Sequence, residues 1–292
     1  LFAGKYTARQ FLSLVTSCSS DEEYAVWGAL DDGLNSISNV LAQTDASLKK
    51  RLDVFIIRAM TPLMTKLGWE PPSGEETIRV SKTFWHRANF SRFEIAQEAL
   101  TVFEASKGEI KADMRTSVYG IVARNGTHEQ FHELLQIFET CGFSEVERSC
   151  IFSLAQTSEM KLQAEFFDYA FKLGKVRPQD LFFLISGAVT TPAGQEYAWN
   201  FFKNEQPILL SKLGGAENGL YQRVFKCSAE GFCSETRAKE VESFFCSCKE
   251  AEGHVSALDR PIRQVAESIR VNERLLSSAA KSIESYLAVH AF

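Results

Sequence analysis

His128-Glu-Gln-Phe-His132 carries the HExxH spacing, in which two histidines one helical turn apart hold a zinc ion and the glutamate between them activates water for hydrolysis. Such a site needs a rigid helix and a third ligand. Thr127-His-Glu-Gln130 is itself a capping-box pattern, which puts His128 at the first helical residue, on a frayed and hydrated turn. In enzymes of this type a glutamate roughly twenty residues downstream completes the metal shell. Ile151 stands at that place, while Glu145 and Glu147 come too early, at the start of the next helix. His128, Glu129 and His132 are therefore read as an exposed helix start, with Phe131, Leu134, Leu135 and Phe138 facing a core, and no catalytic or metal-binding residue is assigned.

Other polar groups have structural readings. Arg177, Gln179 and Asp180 stand at a loop-to-helix junction, where such residues cap and bridge neighbouring helices. Neither His86 nor His254 has a nucleophile or carboxylate at helical spacing to form a catalytic pair. Asn272 interrupts an apolar helical stripe, so its amide is expected to satisfy a nearby backbone group. The four tryptophans, Trp27, Trp69, Trp85 and Trp199, are read as core or hairpin packing.

Composition narrows the partners. Thirty-seven acidic and 32 basic residues give a net charge of −5 without long like-charged blocks, so no overall electrostatic footprint for nucleic acid or an anionic membrane is present. Seven scattered cysteines, an odd number, suit a reducing compartment where the thiol packs as a small hydrophobe. Cys246-Ser-Cys248 has the wrong spacing for a redox or zinc pair. The triplets at Asn89 and Asn125 match the glycosylation pattern, but eight asparagines yield about one such match by chance. No apolar run approaches the roughly 18 residues of a membrane span, and no secretory leader opens the chain. These features lead to the expectation of a soluble, cytoplasmic protein. The start at Leu1, inside a periodic stretch, suggests a piece of something longer.

Apolar residues recur at three-to-four spacing almost throughout, which predicts an all-α protein of about fourteen helices. Ser20-Asp-Glu-Glu23 reads as a capping box opening a helix with Tyr24, Trp27, Leu30, Leu34 and Ile37. Asp45 restarts the chain ahead of Leu48, Leu52, Phe55, Ile56, Met60 and Leu63, and Trp69 to Gly74 breaks it. The most complete unit is Lys172 to Lys203. Leu181 to Ile185 supply one apolar face, and Thr191 and Pro192 form the cap and first position of a second helix carrying Trp199, Phe201 and Phe202. Asp259 is expected to cap a last, long helix with Pro261 in its first turn. Helix pairs of this length stack as an array of antiparallel pairs, a HEAT- or ARM-like α-solenoid bowl, here read as one domain over residues 1–292.

The wording of several segments is specific. Tyr24-Ala-Val-Trp27, Pro62 to Trp69, Arg115 to Tyr119, the VRPQD run at 176–180, Ala198 to Phe202, Glu240 to Phe245 and the ExIxxN pattern at Glu267 to Asn272 resemble the C-terminal helical domain of the M1 family of zinc aminopeptidases, most closely its puromycin-sensitive branch. The resemblance implies a non-catalytic domain, with the zinc ion held by a catalytic domain of the same polypeptide that this chain lacks. It also implies a role in enclosing a cavity for peptides. Lys203 is the candidate donor to a peptide carboxylate. A tyrosine and a basic residue serve that end in some relatives, but Ser38 and Asn39 stand at those positions here. Gly215-Ala-Glu-Asn218 resembles the family's GxMEN loop, lacks its methionine and falls in the wrong domain. Two other functions compete: a stand-alone helical scaffold binding protein partners, and a small zinc peptidase using HEQFH.

Overall fold

The computed structural model describes residues 6–21, 23–67, 93–107, 109–252 and 256–290, and every regular element among them is helical. The all-α expectation is met. The chain divides into two compact units, Leu1–Ile121 with Arg274–Phe292, and Val122–Glu273.

In the first unit, α1 (Ala8–Ser17) starts from a capping box in which Thr7 and Gln10 satisfy each other's backbone N–H groups. Helices α2 (Tyr24–Thr44) and α3 (Ala46–Leu67) fold back on each other as a hairpin. Its joint is a single residue, Asp45, whose carboxylate accepts the Leu48 N–H at 2.8 Å and so restarts the helix as its position suggests. Trp27, Leu34 and Ile37 of α2 and Leu52, Ile56 and Met60 of α3 are buried. Each such side chain contributes roughly 1.5–3 kcal/mol of transfer free energy. Phe103 of α4 (Phe93–Ser106) meets Tyr119 of α5 (Ala112–Asn125) edge-on.

The second unit holds α6 (His128–Thr140), α7 (Ser144–Leu154), α8 (Met160–Phe167), α9 (Leu181–Ala188), α10 (Pro192–Asn204), α11 (Gln206–Lys212), α12 (Gly219–Ala229) and α13 (Glu235–Glu252). The long α14 (Ser256–Val289) contributes residues up to Glu273 here and the remainder to the first unit. A π turn over Asp168–Lys172 prolongs α8, and a 3-10 turn at Pro178–Asp180 leads into α9. Helix α9 packs on α7 and α12. A glycine is needed at Gly187, because a Cβ there would stand 2.2 Å from the Phe152 carbonyl oxygen. Trp199 and Phe202 of α10, Phe225 of α12, and Phe244 and Phe245 of α13 form an aromatic core, with Trp199 and Phe202 stacked at 5.8 Å and Phe225 edge-on to Phe245 at 4.6 Å.

Two sequence expectations are corrected. Ser20 does not cap α2: Glu23 is the N-cap without a side-chain bond, and Asp21 accepts the Glu23 N–H at 2.8 Å. The shorter aspartate loop wins because the Asp21 carbonyl also receives the Trp27 indole N–H at 2.7 Å. Asp259 does not start α14, which begins at Ser256 and carries Pro261 inside. In its second turn a proline forfeits one backbone bond, and burial of Leu258 and Ile262 offsets that loss. The break at Trp69–Gly74, Trp85, His86, the Asn89 triplet, His254 and the Cys248 side chain lie outside the described residues.

Candidate functional site

The HEQFH segment lies where its capping pattern puts it. Thr127 is the N-cap of α6, its hydroxyl accepts the Gln130 N–H, and the Gln130 side chain accepts the Thr127 N–H at 2.8 Å. His128 is thus the first helical residue, and its Nε2 lies 2.8 Å from Glu159 Oε2 at an exposed position. His132 presents its ring edge-on to Phe131. Glu129 is held below the usual carboxylate range chiefly by its own backbone N–H and by Thr127, as befits a first-turn acid. Among the described residues no group of three or more His, Cys, Asp or Glu side chains is placed to hold a metal ion.

A cleft of about 320 Å³ opens between α6, α7 and the loop after the π turn. Asp180, 2 % exposed, forms its base; Arg148 Nε donates to one carboxylate oxygen at 3.0 Å and Arg177 Nε to the other at 2.8 Å. Arg177 also donates to Glu147 at 2.8 Å, so one guanidinium ties the VRPQD loop to α7. Arg177 and Asp180 therefore bridge helices as their junction position suggests, whereas Gln179 is exposed. On the opposite wall Tyr169 donates its hydroxyl to Glu139 at 2.6 Å. Desolvation first, then this carboxylate, raises the phenol above its usual range. Lys175 lines the rim and makes no ion pair among the described residues. Among the described residues the lining carboxylates Glu139, Glu147 and Asp180 are each paired to a neighbouring side chain, which leaves a polar, largely neutralised cleft.

Lys203, the residue singled out for a peptide carboxylate, lies at the end of α10. Its ammonium donates to Glu240 Oε1 at 2.7 Å and sits 5.3 Å from the centre of the Trp199 ring. Glu240 is the hub of this region, accepting also from Trp199 Nε1 at 2.8 Å and Arg237 Nη1 at 2.6 Å. Desolvation pushes its carboxyl upward, but the bonds from Lys203, Arg237 and Trp199 outweigh it and hold the pKa at about 2. Glu240 opens the Glu240–Phe245 run, but its partners on α10 lie 37 and 41 residues away, beyond the reach of local spacing. Asn272 donates to the Phe232 and Glu230 carbonyls at 2.9 and 3.1 Å, as its place in the stripe implies. Asn218 caps α12 behind Gly214 and Gly215, both at positive φ, so the Gly215–Asn218 stretch is a turn and cap.

A family model described as the ERAP1-like C-terminal domain matches residues 1–271. The chain belongs to this family. The puromycin-sensitive aminopeptidase of Caenorhabditis elegans is 33 % identical over 98 % of the chain and 31 % of its own length. Aminopeptidase 2 of Candida albicans is 24 % identical over 99 % of the chain and 32 % of its own length. The endoplasmic reticulum aminopeptidase 2 of Bos taurus is 24 % identical over 64 % of the chain and 19 % of its own length. This ERAP1-like C-terminal domain thus spans about a third of the length of the first two relatives. The M1 aminopeptidase resemblance read from the sequence is borne out.

The zinc that M1 aminopeptidases use does not fit the donors described in the ERAP1-like domain. His128 turns to Glu159, His132 packs beside Phe131, and among the described residues no third ligand joins them. No helix among the described residues is long and apolar enough to cross a membrane.

Proposed function

We propose that these residues form the non-catalytic C-terminal domain of a cytoplasmic zinc aminopeptidase, walling a cavity that holds the body of a peptide while a zinc domain of the same polypeptide removes its N-terminal residue. The observation that carries this reading is the match of the family model over residues 1–271, joined to 33 % identity with about a third of an aminopeptidase. Peptides are the partners, and the zinc ion belongs to the catalytic domain. Within this chain His128, Glu129 and His132 serve as a helix start, not as metal ligands.

The polar receptor geometry of the second unit supports the peptide role. The cleft beside Asp180 offers a tyrosine, a lysine and the fixed guanidinium of Arg177 within one concavity, the kind of lining that orients a polar ligand. Lys203 remains the residue assigned to a peptide carboxylate, which would compete with Glu240 for its ammonium. The test is a ladder of peptides of increasing length, cleaved by the complete polypeptide and by a form lacking these residues. A length preference that disappears with the domain supports the reading. An unchanged preference contradicts it.

A further inference from the structure

A second cleft, of about 340 Å³, lies wholly within the first unit, between α3 and the end of α14. Its cations come from one face of α3: Lys50, Arg51 and Arg58, all exposed, and none in an ion pair or hydrogen bond among the described residues. By contrast, the neighbouring Lys49 is neutralised by Asp53 at 2.5 Å. Between the cations runs an apolar floor of Val54, 42 % exposed, with Phe55 and Leu287. Phe55 is fixed edge-on against Tyr286 at 5.7 Å, and His290 stacks on the same tyrosine with 4.0 Å between ring centres while its Nδ1–H donates to the Tyr286 carbonyl. Among the described residues no carboxylate lines this cleft.

In a chain of net charge −5, three uncompensated cations around an apolar strip are a local reversal of sign. From this we infer that the α3–α14 cleft is a docking groove for a short acidic peptide segment, in which an apolar side chain covers Val54 and Phe55 and flanking carboxylates meet Lys50, Arg51 and Arg58. The spacing fits a short ligand. The eight residue steps of helix from Lys50 to Arg58 extend about 12 Å, which an extended chain covers in about four residues. An extended polyanion would gain from the three cations but leave the apolar floor uncovered. The inference stands on the groove itself and is independent of the aminopeptidase reading.

The experiment uses the 292-residue chain and two fluorescent peptides blocked at both ends, one with the core Asp-Glu-Phe-Glu-Glu and one with Asn-Gln-Phe-Gln-Gln. The acidic peptide is expected to bind and to weaken with added salt, with the neutral one at least about tenfold weaker. The paired change R51E/R58E, on exposed positions that leave the core intact, abolishes binding, and V54D weakens it with all three cations in place. Equal binding of both peptides, or retention by R51E/R58E, overturns the inference. So does tighter binding of inorganic tripolyphosphate than of the acidic peptide, since the apolar floor would then contribute nothing.

Discussion

Trp199 donates its indole N–H to Glu240 at 2.8 Å, joining α10 to α13 through a carboxylate that Lys203 and Arg237 also hold. Trp199 is fully buried, so its N–H has no water to turn to. E240A is expected to destabilise the chain by roughly 1–3 kcal/mol, the cost of leaving a buried donor unsatisfied. E240Q keeps an acceptor for Trp199 and is milder. Urea unfolding of the two variants checks the order.

The same carboxylate makes stability depend on pH. Its folded pKa, about 2, lies below its unfolded value, so the stabilisation is fully present above about pH 4.3 and fades as pH falls toward 2. The stability gap between the wild-type chain and E240Q is therefore expected to be constant near neutrality and to shrink below about pH 4.3. A gap that persists unchanged at pH 2.5 would contradict this assignment.

Asp180 is buried while its two arginines reach solvent. Removing either arginine leaves the carboxylate one partner, so R148A and R177A are each expected to cost about 1 kcal/mol. Removing both strands a buried charge, and the double variant is expected to lose about 3 kcal/mol or more. Additive losses in the double-mutant cycle would mean that water reaches Asp180.

Where α9 crosses α7, Gly187 leaves no room for a side chain. G187A places a methyl group against the Phe152 carbonyl and the Ala155 side chain, neither a flexible chain end. A loss of about 1–3 kcal/mol, read as a lowered Tm, is expected from overpacking.

The HEQFH reading is tested on the same footing. T127A removes one half of the capping box and is expected to cost about 1 kcal/mol. H132A is expected to leave the zinc content of the purified chain unchanged. One zinc per chain, lost on H132A, would restore the peptidase interpretation.

What could be read in advance follows the range of the interactions. Thr127 with Gln130, Thr191 with Gly194 and Asp45 with Leu48 bond across three residues, and each cap stands where the sequence puts it. The Ser20 pattern failed because Asp21 offered a closer acceptor for the Glu23 N–H, a competition that spacing does not rank. The Asp259 cap failed because a proline in a second helical turn is costly but tolerable when its neighbours are buried. Glu240 and the α3–α14 groove were hidden for another reason. Glu240 meets Lys203 and Trp199 from another helix, and only packing brings Leu287 and His290 up to Lys50, Arg51 and Arg58 to make the groove.

The most direct test of the central claim is the mass of the native product recognised in its source by an antibody raised against these 292 residues. The account predicts a polypeptide roughly three times 32.8 kDa, the proportion found in the aminopeptidase relatives. A product of 32.8 kDa would contradict it and bring a stand-alone helical scaffold to the front.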